Sequence, residues 1–362
     1  MKKIALSLFS FVLAVSFSIA QDLSTDSIVG DVGQDTVKAA FDEIDQEAEK
    51  YYNRGISKFQ KGAFQAALGD FDEAIVKRPD FEKALFNRGS VKYELKDYVG
   101  AVADFNKAIS LNPKSANSYF SKGRANYSLG KKQAALLDYN NAISVDSKHS
   151  KAYFYRASIK FELEDYKGAS DDFTMCIRYD PKNANAYNDR GSAKKKLGDE
   201  DGAKADYEKA VQFDPQLALA YNNLGSIKKK LGDFKGAVLE YSLAIKIKPD
   251  YSLAYNNRGA ARFELGEYIL AVNDFTEAIK LDTKYAYAYN NRAAAKCKLE
   301  DYKGVVADCT MAIKLDPNYG YAYLNRGIAK EMLRSMEDAC SDWKKAAELG
   351  IETGNTYASD CN

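Results

Sequence analysis

The histidine content of this chain of 362 residues limits the chemistry that it can perform. His149 is the only histidine, which argues against His-rich metal cages, Ser/His/Asp triads and paired-histidine acid–base sites. Charges nearly cancel, with 52 Lys and Arg against 51 Asp and Glu, so neither nucleic acid nor an anionic membrane is an expected partner. We therefore expect no enzyme activity, no metal and no cofactor.

The five cysteines are the other reactive residues, and their spacing favours structural roles. No two of them have the close spacing of a zinc site. Cys340 and Cys361 flank the last predicted helix and the C-terminal tail, and we hypothesise that they form a disulfide that fixes the tail over the end of the chain. A second bond between Cys297 and Cys309 stays open, because disulfide geometry is strict.

Six prolines reveal the internal repeat that must position these residues. Successive prolines are 34 or 68 residues apart, so the same turn recurs at a fixed period; they are Pro79, Pro113, Pro181, Pro215, Pro249 and Pro317. The period defines nine predicted repeats, which begin at residues 48, 82, 116, 150, 184, 218, 252, 286 and 320 and end at residue 353. No separate catalytic domain fits beside this array.

Five positions, counted from the first residue of each repeat, carry the predicted core. Position four is Tyr in eight repeats, position eight is Gly or Ala in all nine, and position twenty is Ala in eight. Position twenty-four is aromatic in eight repeats and position twenty-seven is Ala in eight, so small residues face large ones and two helices can approach closely. Cys176 and Cys309 replace core residues, and we expect both to be buried and unreactive.

These residues resemble the signature of the tetratricopeptide repeat, with an aromatic residue, Gly, Ala, an aromatic residue, Ala and Pro at its spacings over residues 48–353. The eighth repeat departs from the signature at Ala293, Val305 and Cys309. The resemblance implies an all-α fold, a right-handed superhelical α-solenoid of antiparallel helix pairs whose first helices line a concave groove. Within each repeat we expect helices at about positions 2–14 and 17–30.

The charged residues inside the repeat follow a pattern of their own. Position seven is basic in eight repeats, and those same repeats have Asp at position twenty-three. The sixth repeat has Leu224 and Glu240 instead, so the two positions change together. We interpret the pattern as an ion pair that specifies how the two helices dock, rather than as a binding site.

Positions two, five, six, nine and twelve form one stripe on the first helix, on the side opposite the Tyr and Gly positions. Position six is Asn in six repeats: Asn53, Asn87, Asn223, Asn257, Asn291 and Asn325. The resemblance implies that such asparagines hold a peptide, whose backbone an amide can both donate to and accept from. The alternative is that they cap or bridge neighbouring helices.

Other positions of this stripe change in blocks along the array. Position five is aromatic in repeats one to four (Tyr52, Phe86, Phe120 and Phe154) and Asn in repeats five to eight. The aromatic residues either belong to the core or form an apolar part of the groove. At position twelve, Lys195 and Lys229 each belong to a run of three lysines, which either is solvated or attracts an acidic peptide.

The segment before the array has two parts. Two lysines precede an apolar run at residues 4–17 and a group of small residues, which is typical of a signal peptide over residues 1–20 that is cleaved before Gln21. An uncleaved anchor is the alternative, although the run is short for a membrane span. Residues 21–47 form an acidic leader that is expected to be partly helical toward its end, and residues 354–362 form a C-terminal tail.

We therefore predict a non-catalytic scaffold of the bacterial envelope, exported to the periplasm or secreted, that binds a protein or peptide in its groove. After signal cleavage we expect no stable membrane insertion. An alternative is a structural or assembly component that associates through its convex face or its ends, which a large apolar patch away from the groove would favour. An enzyme is less favoured, since it would need a pocket of convergent carboxylates. The ligand and the oligomeric state are not specified by the sequence.

Overall fold

A computed structural model describes residues 32–359 and 361, and this part of the chain contains nineteen helices and no strand. The predicted signal peptide and its cleavage point lie outside the described residues. The helices are α1 (Val32–Gln60), α2 (Phe64–Lys77), α3 (Glu82–Glu94), α4 (Tyr98–Leu111), α5 (Ala116–Ser128), α6 (Lys132–Val145), α7 (Ser150–Glu162), α8 (Tyr166–Tyr179), α9 (Ala184–Lys196), α10 (Glu200–Phe213), α11 (Ala218–Lys230), α12 (Phe234–Ile247), α13 (Ser252–Glu264), α14 (Tyr268–Leu281), α15 (Ala286–Lys298), α16 (Tyr302–Leu315), α17 (Gly320–Met332), α18 (Met336–Glu348) and α19 (Glu352–Ser359).

The turn between the two helices of a repeat explains where each helix ends and begins. In repeat five, α9 ends before Gly198, whose φ of 83° is accessible to glycine at little cost. Asp199 then caps α10, because its side chain accepts a hydrogen bond from the backbone N–H of Gly202 at 2.9 Å. First helices from α3 onward start at position one of the predicted repeat, one residue earlier than expected, and second helices start at position seventeen as expected.

The described chain forms two compact units, one up to Asp138 and one from Tyr139 onward, so the boundary lies within α6. In the first unit, each helix from α1 to α5 contacts the next one along the chain. In the second unit, the same holds for each helix from α7 to α19. Both units are therefore all-α and have the stacked helix pairs of a solenoid, which confirms the predicted fold class.

Small residues at position eight let the helices of a pair pack closely, as predicted. A Cβ atom added to Gly259 would lie 2.8 Å from Cε1 of Phe275, the aromatic residue at position twenty-four of the same repeat. In the eighth repeat the sizes change together, because the larger Ala293 shares a buried cluster with Cys309 in place of an aromatic ring. The departure of this repeat from the signature is thus accommodated within its core.

Both ends of the described chain are helical. The acidic leader runs into the first repeat within the single helix α1, and Glu49 of that helix lies 2.7 Å from the Arg78 guanidinium. The predicted C-terminal tail contains α19, which packs on the last helix pair, with the rings of Trp343 and Tyr357 stacked at a centroid distance of 4.9 Å. Cys340 and Cys361 form a disulfide with their Cα atoms 5.6 Å apart. Helix α19 therefore covers one side of the α17–α18 helix pair.

Candidate binding surface

The charged positions of the repeat form the predicted ion pairs between its two helices. In repeat five, Arg190 donates to Asp206 twice, from Nε to Oδ2 at 2.9 Å and from Nη2 to Oδ1 at 2.6 Å. Only 5% of the Asp206 side chain is exposed. The corresponding pairs are Arg54–Asp70, Arg88–Asp104, Lys122–Asp138, Arg156–Asp172, Arg258–Asp274, Arg292–Asp308 and Arg326–Asp342. These buried carboxylates are neutralised within the repeat, which supports the docking role.

A second base at position eleven, which the sequence analysis did not single out, extends this network. Lys194 Nζ lies 2.9 Å from Oδ2 of Asp206. Arg190 also donates from Nη1 to Oγ1 of Thr174 in the preceding repeat at 3.1 Å, so the arginine ties two helix pairs together. The signal was available in the sequence, because position eleven is Lys or Arg in eight repeats.

Repeat six pairs its acid with a base through different residues. Leu224 is buried where the other repeats have a base, and it has no donor to offer the preceding repeat. Glu240 instead pairs with the position-eleven base Lys228 at 2.6 Å. The longer acidic side chain therefore accompanies the loss of the position-seven base, as their joint change in the sequence indicates.

Asparagines at positions five and six connect neighbouring first helices. Asn223 donates from Nδ2 to Oδ1 of Asn188 in the preceding repeat at 2.9 Å. Three further bonds of this kind follow, which join Asn257 to Asn222, Asn291 to Asn256 and Asn325 to Asn290 at 2.9 to 3.0 Å. We call these four bonds the asparagine ladder. The position-five acceptors are buried and the position-six donors are half-buried. Bridging between helices is thus observed, and it uses one of the two amide hydrogens of each donor.

The ladder explains where asparagine occurs at position six. Asn87 donates to the Tyr52 hydroxyl of the preceding repeat at 3.2 Å, so it too has an acceptor at position five. Asn53, which lies in the first repeat, is exposed. Where the preceding position five is Phe, position six is a different residue: Ser121, Tyr155 or Asp189. This offset of one repeat was present in the sequence, but it acquires a meaning only when the helices are placed side by side.

The aromatic residues at position five pack toward the core of their own repeats. Phe86 lies 5.7 Å from Phe105 and Phe154 lies 5.6 Å from Phe173 between ring centroids, and both are half-buried. Phe120 is buried, with 9% of its surface exposed, and we leave it out of the surface proposed below. The aromatic block is therefore explained by packing before any ligand is invoked.

Position two, which lies on the predicted stripe of the first helix, supplies a row of exposed leucine and tyrosine side chains. In repeats six to nine these residues are 45%, 40%, 58% and 57% exposed, in the order Leu219, Leu253, Tyr287 and Tyr321. Each lies one helical turn before a donor of the asparagine ladder, on the same helix face. Tyr287 is also held by Tyr319, at a ring-centroid distance of 5.0 Å. We call these four residues the position-two row.

The two lysines at position twelve are both partly desolvated, but other lysines lower the pKa only of Lys195. Desolvation by the surrounding protein and the charges of Lys230 and Lys196 lower the pKa of Lys195. Burial also lowers the pKa of Lys229. An anionic group would relieve the repulsion at Lys195, whereas Lys229 already has the opposite charge of Glu264 nearby. Contact with an acidic ligand stays a prediction for both lysines.

The remaining cysteines are free thiols. Cys176 and Cys309 are buried as expected, and burial raises the pKa of each thiol to about 12. Cys297 packs against the cluster that contains Cys309 without forming a bond to it. The two buried residues therefore act as small core side chains.

With this geometry established, two models of one family match parts of the chain. The model described as TPR repeat matches residues 89–130, 191–232 and 225–266, and the model described as Tetratricopeptide repeat matches residues 116–149 and 253–285. The chain is a tetratricopeptide repeat protein. No curated protein matches its sequence.

Solved tetratricopeptide repeat structures share the fold at low sequence identity. A tetratricopeptide repeat protein from Parabacteroides merdae superposes with a TM-score of 0.51 at 18% identity, covering 69% of this chain and 99% of that one. The C-terminal part of a repeat protein from Cytophaga hutchinsonii gives a TM-score of 0.55 at 16% identity, with 66% and 98% covered. The Cut9–Hcn1 hetero-tetramer of APC/C gives 0.55 at 14% identity, with 87% and 76% covered.

Two further observations concern only the described residues. None of their helices is both long and apolar enough to cross a membrane. Nor do three or more His, Cys, Asp or Glu side chains among them converge as the ligands of a metal would.

Proposed function

We propose that this tetratricopeptide repeat protein is a non-catalytic scaffold that binds an extended segment of another protein along α11, α13, α15 and α17. The observation that carries the proposal is the exposed position-two row beside the asparagine ladder. These leucine and tyrosine side chains are 40 to 58% exposed, and they lie at the same position of four successive first helices. Tyrosine is also common among residues that dominate binding energy.

The chemistry of the surface suits a polypeptide backbone. Each of the four donors of the asparagine ladder retains a carbonyl oxygen and one amide hydrogen beyond its ladder bond, so it can accept from a peptide N–H and donate to a peptide C=O. The ladder holds these amides in place before a ligand arrives, which lowers the entropy lost on binding. The structural similarity to a chain of the Cut9–Hcn1 hetero-tetramer supports a role in protein association.

Site-specific photocrosslinking tests the proposal. A photoreactive phenylalanine analogue at Tyr287 or Tyr321 should crosslink to a second protein in native cells, and mass spectrometry would identify it. The same analogue at Val76, which is 72% exposed on the second helix α2, is the matched control. Crosslinks to a partner from Val76 but not from the two tyrosines would contradict the proposed surface.

We also propose that the protein works in the bacterial envelope. The N-terminal pattern of lysines, apolar residues and small residues supports export, and the disulfide between Cys340 and Cys361 suits an oxidising compartment. Protein purified from the native host should have the intact mass of a chain that begins at Gln21 and should yield a disulfide-linked peptide containing both cysteines. A mass that retains residues 1–20 would contradict the export proposal.

A second candidate function is assembly through the second helices. Leu239 and Leu243 on α12 are 66% and 41% exposed, and Ile269 on α14 is 67% exposed. Replacing all three with Ser should convert an oligomer to a monomer in sedimentation experiments if these residues form an interface. A wild-type protein that is monomeric at high concentration would exclude self-association as their role.

A further inference from the structure

A cavity of 390 Å³ opens between the first helices α7, α9 and α11, where the aromatic residues at position five give way to asparagines. Its wall is largely apolar, with Phe161, Phe173 and Leu219, and the carboxyl groups of Asp189 and Glu162 also line it. This volume lies in the range of small-ligand pockets, about 300 to 1,000 Å³. All of these residues belong to the second compact unit.

Asp189 lines this cavity and takes no part in the asparagine ladder, whose first donor is Asn223 in the following repeat. The position of Asp189 is the donor position of the ladder, but the preceding repeat has Phe154 at position five and offers no acceptor. The Asp189 carboxylate instead accepts a hydrogen bond from Asn188 on its own helix, Nδ2 to Oδ1, at 2.9 Å. It is the one acid among the nine position-six residues of the predicted array.

The electrostatic setting of Asp189 differs from that of the other acids inside the repeats. Asp206, in the same repeat, is neutralised by both Arg190 and Lys194. Asp189 has no Lys or Arg within 4.0 Å among the described residues, and burial raises its pKa. An ionised carboxylate in a largely apolar cavity is stabilised by a cation that enters the cavity with it.

We propose that the cavity receives a Lys or Arg side chain of the bound polypeptide, with its cationic group on Asp189. The apolar stem of such a side chain matches Phe161 and Leu219, and its charged end matches the carboxylate. The inference rests on the proposed function, because the cavity shares Leu219 and Asn223 with the peptide surface. It adds a preference for a basic residue at one point of the bound segment.

The test compares two small probes that differ only in the terminal ammonium group of the side chain. Nα-acetyl-lysine N-methylamide and Nα-acetyl-norleucine N-methylamide would be titrated into the full-length mature protein and followed by NMR, with the arginine derivative as a third probe. The lysine and arginine derivatives should bind at least about tenfold more tightly than norleucine, which corresponds to about 1.4 kcal/mol. Their shifts should centre on Asp189 and Ser192. Equal binding of all three probes would overturn the inference.

Asp189→Asn supplies the decisive variant, because asparagine occupies the same position in six predicted repeats and should fold there. The variant should lose the preference for the cationic probes. The matched control Asp201→Asn removes the same charge from an exposed residue of α10 and should keep it. A preference that survives in Asp189→Asn would overturn the inference. If the wild-type protein shows no preference for the cationic probes but crosslinks at Tyr287, only the basic-residue assignment is overturned, whereas absence of that crosslinking overturns the proposed function.

Discussion

Repeats two to four and repeats five to eight differ in how the residue at position five is packed and bonded. In the first group the position holds Phe, which packs on the aromatic or other core residues of its own repeat, as Phe86 does on Phe105. In the second group it holds a buried Asn, which accepts a hydrogen bond from the following repeat, as Asn256 does from Asn291. Packing energy is thus gained mainly within a repeat in one region, and a directional bond between repeats is added in the other.

The difference shows how a solenoid can vary one surface without changing its fold. An apolar residue at position five needs no hydrogen bond from the next repeat, whereas a buried amide needs a hydrogen-bond partner there. Position six therefore follows position five with an offset of one repeat. Position two takes no part in this bonding, and in repeats six to nine it carries large exposed side chains.

The largest change in the free energy of unfolding is expected when an asparagine replaces a phenylalanine at position five of repeats two to four. Phe86→Asn should lower the free energy of unfolding by about 3 kcal/mol, because the ring packed on Phe105 is lost. The new amide also faces a repeat with Ser121 at position six. Urea unfolding followed by circular dichroism measures the loss.

Adding Ser121→Asn to Phe86→Asn sharpens this comparison. The second substitution supplies the donor that the ladder uses, and it should restore about 1 kcal/mol. If Ser121→Asn stabilises the wild-type protein as much as it stabilises Phe86→Asn, the residue preferred at position six does not depend on position five of the preceding repeat.

A smaller loss is expected within the ladder. Asn256→Ala should cost about 1 to 2 kcal/mol, because it removes a buried acceptor and leaves the amide of Asn291 without it. Asn53→Ala, at an exposed position six, is the control and should change stability by less than about 0.5 kcal/mol. Equal effects of the two substitutions in urea unfolding would argue that the ladder contributes nothing.

Asp189 should respond to pH in the direction opposite to a salt-bridged acid. Its folded-state pKa is raised above 3.8 by burial, so the ionised form carries a cost near pH 7 that disappears as the pH falls toward 3.8. Asp189→Asn should therefore unfold at a higher temperature than the wild type near neutrality. This rise in unfolding temperature should be smaller than the fall caused by Asn256→Ala. Calorimetry from pH 7 to pH 4 should show this gap closing, and a gap that widens would contradict the assignment.

The smallest effect on stability is expected in the position-two row. Leu253→Ala and Tyr321→Ala should each change the free energy of unfolding by less than about 0.5 kcal/mol, since both side chains are largely exposed. The same substitutions should weaken capture of the crosslinked partner in a pull-down from native cells. Normal capture together with normal stability would remove these residues from the binding surface.

Much of the fold followed from the sequence because a 34-residue period constrains every repeat at once. Gly at position eight and an aromatic residue at position twenty-four predicted the close helix pairs, and the shared change of Leu224 and Glu240 predicted the ion pair. The helical tail after residue 351 was not predicted, because a short terminal helix gains its stability from packing on Trp343 rather than from its own sequence.

The sequence by itself determined the period, the core positions and the pairing of charges within a repeat, since each depends on residues close along the chain. Only the tertiary structure decided the partners of residues 35 positions apart, such as Asn223 and Asn188, because one amide can satisfy a neighbouring helix or a ligand equally well. It also decided that Asp189 lies in a cavity without a nearby base. The burial of the Asp189 carboxylate depends on first helices from three successive repeats, so the sequence of one repeat cannot predict it.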